Sequence, residues 1–154
     1  MARALDRLRA ARAAGDASPV AFTLNARADP FLIGHSDAFA ESVRRANEYL
    51  SAGADCVFVP GVNDADTIGA LVREIDGPLN VLAGGSPAQP NVAELEALGV
   101  RRISIGSSLA NATFALMHAA ASEMRGTGTF SFAADAVPHA EMNALMARKE
   151  PAGD

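Results

Sequence analysis

Four apolar runs of strand length alternate with amphipathic stretches along the chain. Each run closes on a glycine or polar turn: FTLNARAD, CVFVPGVND, NVLAGGSP and RISIGSSL. Alternation of this kind predicts βα units in a parallel sheet. The strands are expected at residues 20–25, 54–59, 79–83 and 102–105, the second apolar almost throughout, as befits a strand covered on both faces. A first helix is expected over residues 2–14, with Leu5 and Leu8 on one stripe and Gly15 as its stop. The next starts at Ser36 or Asp37, either of which can cap its first turn, and carries Phe39, Val43, Ala46 and Leu50 on one side. A third begins at Asn63 or Asp64, repeats Ile68, Leu71, Val72 and Ile75 at helical spacing, and breaks at Gly77-Pro78. Residues 91–98 form a fourth helix closed by Gly99, and residues 107–124 a long alanine-rich fifth. Beyond Gly126 the rhythm stops: a loop containing Phe130 and Phe132 leads to a short helix with Met142, Leu145 and Met146, and residues 150–154 read as a disordered tail. The expected organisation is a body of βα units over residues 1–125 and a C-terminal arm over residues 126–154. That arm is too apolar to hang free, so it folds back or packs on another chain.

In such a sheet the carboxyl ends of the strands are where ligands bind. This places Arg27, Asp29, Asn63, Ser86 and Ser107 at one end of successive strands. About four units are present where a closed barrel needs eight, so the pattern is that of half a barrel. Arg27 is the sharpest candidate, because a guanidinium offers two parallel N–H donors to a carboxylate or phosphate. The competing role is a salt bridge to Asp29 or to a neighbouring helix. Asn25 and Asp29 flank it at alternate positions, so on an extended backbone the three side chains share a face. Asp29 is expected to support Arg27 rather than hold a metal, since one carboxylate does not make a Mg²⁺ site. Gly84, Gly85 and Ser86, with Gly106, Ser107 and Ser108, suit a phosphate cradle of backbone N–H groups, although glycine and serine also make plain turns and caps. His35 stands in a loop near the binding end, either near a ligand or in solvent. No catalytic residue and no metal ligand is nominated in this chain.

Hydrophobic residues make up 49% of the sequence and aromatics only 5%, which suits alanine-rich helices on aliphatic strands better than a β-sandwich. A net charge of −5 argues against a nucleic-acid partner, while leaving room for a small anion held by one local arginine. The single cysteine, Cys56, sits in an apolar strand and is expected to be a buried, inert thiol. No apolar run approaches the roughly 18 residues of a membrane span. The arginine-rich start resembles a transit peptide only on the surface; Asp6 and the regular stripe favour an ordinary helix in a cytoplasmic protein.

Taken in order, FTLNARADPFL, AFAESVRRANEYLSAGADCVFVPGV, NVLAGGSP and LGVRRISIGSSLANATF resemble the C-terminal half of the isocitrate lyase/phosphoenolpyruvate mutase superfamily, over residues 1–125. The resemblance implies a (β/α)8 barrel, Mg²⁺, and chemistry that makes or breaks a C–C or C–P bond beside a small keto acid such as oxaloacetate or phosphonopyruvate. Arg27 in NARAD matches the family's substrate-binding arginine. This chain would supply the fourth helix and then strands five to eight. The Mg²⁺ carboxylates and mobile catalytic loop belong to the other half, so tight Mg²⁺ binding here is not expected. Gly61 stands where lyases of the family carry a catalytic glutamate, Pro60 where mutases have a histidine, and LAGG replaces an Asn-x-Thr turn. These departures disfavour isocitrate or methylisocitrate lyase and fit the carboxyvinyl-phosphonate mutase-like branch.

Two functional expectations follow. One is an enzyme fragment, truncated or part of a larger enzyme, inactive alone, with Arg27, Asn25 and the Gly84–Gly85–Ser86 turn on the substrate. The other is a non-catalytic assembly module, a half-barrel whose free edges and apolar interior pair with a second copy or with a separate N-terminal half.

Overall fold

The computed structural model describes residues 1–86 and 88–147. By contact density the chain forms two compact units, Met1–Ser108 and Leu109–Asp154. The first unit contains α1 (Ala2–Asp16), β1 (Asn25–Arg27), α2 (Ala38–Ser51), β2 (Cys56–Phe58), α3 (Ala65–Glu74), β3 (Leu79–Leu82), α4 (Val92–Ala97) and β4 (Arg102–Ser104). The four strands lie side by side in the order β1-β2-β3-β4, all parallel. Strand, helix and strand alternate in a parallel sheet as the apolar rhythm predicts, and the architecture is a partial (β/α)8 barrel.

Register divides the sheet into two faces. Asn25 pairs with Cys56, Ala26 with Val57, Arg27 with Phe58, Phe58 with Asn80 and Asn80 with Arg102. Ala26, Val57, Leu79 and Val81 are buried against the helices, and Ile103 packs on the same cluster. The core there is completed by Ala46 and Tyr49 of α2, Ile68 and Leu71 of α3, and Leu95 of α4. The opposite face carries Asn25, Arg27, Cys56, Phe58, Asn80, Leu82, Arg102 and Ser104. The expected apolar interior is therefore mixed, with five polar or charged side chains among the eight.

Caps explain where the helices start. The Asp64 carboxylate accepts the Thr67 N–H at 2.8 Å, which holds its pKa below the usual carboxylate value. At α4, Asn91 accepts from the Glu94 N–H at 3.1 Å and Glu94 accepts from the Asn91 N–H at 2.8 Å, a reciprocal capping box. The capping expected at α2 is not made by a side chain: Asp37 occupies the cap position without such a bond, and its own N–H donates to His35 Nδ1 at 3.1 Å. That bond places His35 in a local turn.

The first strand is shorter and later than expected. Ladder pairing starts only at Asn25, and Val20 and Phe22 are 71% and 51% exposed. The reason is positional: β1 is a border strand, so the apolar run before it has one neighbour at most. Leu24 alone reaches across, its carbonyl accepting from the Asp55 N–H at 2.9 Å. The same corner is tied by Arg12 of α1, whose Nη1 donates to Asp55 Oδ2 at 2.9 Å while Leu24 N–H donates to that oxygen at 2.7 Å.

The second unit contains α5 (Ser108–Gly126), a 3₁₀ turn (Ser131–Ala133) and α6 (His139–Ala147). None of these elements buries a residue completely. The tail predicted as disordered lies outside the described residues. Among the described residues no helix is long and apolar enough to cross a membrane.

Candidate functional site

Arg27 is the last residue of β1, not one beyond it, and its side chain stands on the mixed face at the strand's carboxyl end. Two contacts fix it. Its Nε donates to Asp29 Oδ1 at 2.5 Å, and its Cζ lies 5.8 Å from the centre of the Phe58 ring on β2. Asp29 is placed by the turn that follows β1: the Ala28 N–H donates to the Phe58 carbonyl at 2.9 Å, the Ile33 N–H to the Asp29 carbonyl at 3.1 Å, and Pro30 is fully buried. The guanidinium is half exposed and Asp29 engages only Nε, so the two terminal nitrogens make no hydrogen bond to a described residue. That geometry is a fork held from behind, open on the side where two parallel donors meet a carboxylate or phosphonate.

Asn25 shares the face with Arg27, two residues earlier, and its Oδ1 is buried without a hydrogen-bond partner. It lies deeper along the strand than the open fork. The glycine turn after β3 sits two strands away. There the Ser108 hydroxyl donates to the Gly84 carbonyl at 3.3 Å, which joins the turns after β3 and β4. Gly84 has φ +84°, and a Cβ on it would come within 3.2 Å of Ser108. Gly85 faces open space, while the Ser86 hydroxyl accepts the Ala88 N–H at 3.2 Å in a local turn. Arg27 and Asp29 thus form one unit and the Gly84–Ser86 turn a second, and among the described residues no hydrogen bond or ion pair joins them.

Burial pushes the Cys56 thiol up, with the nearby Arg102 charge pulling the other way, so this sulfur is protonated at neutral pH. Among the described residues no group of three His, Cys, Asp or Glu side chains could hold a metal ion. Asp29 is committed to the arginine. These residues do not fit a Mg²⁺ ion on their own, and no chemical step of this chain is assigned to one.

Residues 1–125 match the phosphoenolpyruvate phosphomutase family. The chain belongs to that family. An uncharacterized Mycobacterium tuberculosis protein is 35% identical over 123 residues, covering 80% of this chain and 45% of its own length. The oxaloacetate decarboxylase of Chromohalobacter salexigens is 36% identical over 85 residues, 51% of this chain and 29% of that one. A lyase/mutase-type protein of Burkholderia cenocepacia J2315 superposes with TM-score 0.85 at 40% identity, over 94% of this chain and 52% of that structure. A phosphonopyruvate hydrolase solved with oxalate and Mg²⁺ superposes with TM-score 0.72 at 25% identity, over 92% and 50%. The chain spans about half the length of the Mycobacterium and Burkholderia proteins and less than a third of the decarboxylase. The superfamily resemblance carried by NARAD and the later motifs is thereby borne out.

Within the family frame, Gly61 has a physical explanation. It takes φ +91°, and a Cβ there would lie 3.1 Å from the Leu32 backbone nitrogen, so the turn after β2 is closed against residues 31–32. A glutamate at this place would require that loop to move. The sequence pattern missed Phe58, which lies under the guanidinium, and Asn80, only 1% exposed, which donates to Ser104 Oγ at 3.2 Å. The signal for Asn80 was present: it is the one polar residue inside the β3 run LNVL.

Proposed function

We propose that this chain is the substrate-anchoring half of an enzyme that acts beside the carbonyl of a small keto acid such as oxaloacetate or phosphonopyruvate. Arg27 binds the carboxylate or phosphonate, and Asp29 with Phe58 holds its plane. The observation that carries this reading is the guanidinium itself, tethered through Nε and open at both terminal nitrogens on the rim where such folds bind ligands. Family membership and the named substrates of the relatives support the substrate class. A carboxylate held by two parallel donors keeps its carbonyl in a fixed direction, which is what an adjacent bond cleavage needs. The Mg²⁺ of the phosphonopyruvate hydrolase complex would have to be held largely by residues other than those described here.

Titrating the full chain with oxalate, with Arg27 Nε–H and the Asp29 amide followed by NMR, tests the reading. Both signals are expected to shift, and Arg27→Gln to abolish the response. Shifts confined to the Gly84–Ser86 turn, or none, would overturn it. Turnover of oxaloacetate or phosphonopyruvate by the purified chain alone would contradict the expectation that this half is inactive.

A second reading is favoured by α5, where Leu109, Phe114, Leu116 and Met117 are all more than half exposed. On this reading the C-terminal unit joins chains into an oligomer, and the protein serves assembly rather than catalysis. Oxalate binding at Arg27 separates the two.

A further inference from the structure

A cavity of about 570 Å³ is formed by the start of α3, the loop over residues 88–90 and one side of α4. It shares no residue with the Arg27 site. Its volume lies within the roughly 300–1,000 Å³ of small-molecule sites. Ala65, Ala97 and Leu98 give it apolar walls, and the only charged groups lining it are the carboxylates of Asp64 and Glu94. Glu94, Ala97 and Leu98 recur at i, i+3 and i+4, so one face of α4 carries both the acid and the apolar wall. Each carboxylate is aimed by a cap: Asp64 Oδ1 accepts the Thr67 N–H and Glu94 Oε2 accepts the Asn91 N–H. Glu94 Oε1 accepts nothing from a described residue, and neither acid has an ion pair with one. A third acceptor belongs to the same lining. Gln89 donates its side-chain N–H to the Leu82 carbonyl, which fixes the amide, and its Oε1 is buried without a donor.

Capping accounts for where the two carboxylates point, but not for the donors that Glu94 Oε1 and Gln89 Oε1 lack. We propose that this cavity binds a small organic ammonium ion. Its N–H groups supply those donors and its charge answers Asp64 and Glu94, while its carbon skeleton lies against Ala65, Ala97 and Leu98. The two helix N-termini oppose a cation, yet each amounts to about half a charge against the full charge of its carboxylate. A divalent metal fits less well, because among the described residues no third acid joins the pair. A small anion would face both carboxylates. The site goes beyond the keto-acid reading and does not depend on it.

The caps permit a clean test, because asparagine serves as an N-cap as aspartate does, and glutamine completes a capping box as glutamate does. The full chain is titrated with butylammonium chloride, followed by NMR, with sodium butyrate and butanol as probes of opposite and of no charge. Butylammonium is expected to shift Ala65, Gln89 and Ala97 saturably, and the other two are not. Asp64→Asn/Glu94→Gln should weaken that binding by about tenfold or more, the loss of one hydrogen bond to a charged group, while melting near the parent temperature. Glu94→Gln alone should weaken it partway, and Arg27→Gln should leave it as in the parent. Equal shifts from butanol, a response indifferent to the double substitution, or no saturable shift overturns the proposal. Oxalate binding is read at Arg27 and Asp29 and ammonium binding at other residues, so each reading fails or stands by itself.

Discussion

Helices α3 and α5 are both apolar enough to seek cover, and they meet different fates. In α3, ten residues place Ile68 and Leu71 at 0% and 1% exposure against the sheet. In α5, nineteen residues bury none, and Phe114 and Leu116 remain 65% and 60% exposed. The difference lies in how the apolar residues are arranged. Those of α3 form one stripe that a single sheet face can satisfy, whereas in α5 Leu109, Phe114, Leu116 and Met117 point to several sides. A helix that is apolar on more than one side needs more than one neighbour. Leu71→Ala is therefore expected to cost about 2–5 kcal/mol, the range for emptying a packed core site, as measured by chemical denaturation. Phe114→Ala should leave the unfolding free energy of the monomer within about 0.5 kcal/mol while lowering self-association by light scattering. Equal losses at the two positions would erase the contrast and show that Phe114 already has a packed site within this chain.

The first unit also tolerates less backbone freedom. Gly99, after α4, has φ +95°, and a Cβ there would sit 2.9 Å from Val72 Cγ1 on α3. Gly99→Ala combines left-handed strain with a clash, and a loss of about 1–2 kcal/mol from the strain alone is expected in the same denaturation experiment. Gly128, in the second unit, also has positive φ, at +70°, but nothing lies within 4 Å of its added Cβ. The same substitution there carries strain without a clash, so the smaller loss of the pair belongs to Gly128→Ala.

The sequence revealed much of this contrast, and its limits are physical. β2 and β3 were legible because a central strand is buried along most of its length, which leaves Cys-Val-Phe and Leu-Asn-Val-Leu as dense apolar runs. The run before β1 looked the same and is not strand, since composition reports a preference for cover and cannot report whether a neighbour exists. The Arg27–Asp29 pair was legible in NARAD because its members are two residues apart. Phe58 and Asn80 were not, because their relation to Arg27 is set by interstrand register, which joins residues 31 and 53 positions apart. His35 is an exposed loop residue, one of the two places expected for it, and what the sequence did not specify is the local bond its ring accepts from the Asp37 N–H.

The smallest expected effect lies in the C-terminal unit, where one carboxylate replaces a hydrophobic core. Glu123, near the end of α5, accepts the Thr129 hydroxyl at 2.7 Å, the Ser131 N–H at 2.5 Å and the Phe132 N–H at 3.2 Å, tying the 3₁₀ turn to the helix. These donors favour the charged form, the Thr129 hydroxyl most, and hold its pKa below the ordinary 4.5. Because the folded pKa is the lower one, the tie is fully present above 4.5 and is lost as pH falls through the depressed value. Glu123 is half-buried and its ties are all to the adjoining turn, so the consequence is local: protection of the Ser131 and Phe132 amides, taken relative to the intrinsic exchange rate at each pH, should fall on acidification while amides of α3 stay protected. Glu123→Gln should bring much of that loss of protection to neutral pH, since a neutral carboxamide oxygen accepts N–H bonds more weakly than a carboxylate. Protection at Ser131 that ignores both pH and the substitution would mean that the turn is held by packing, and would place the second unit closer in kind to the first.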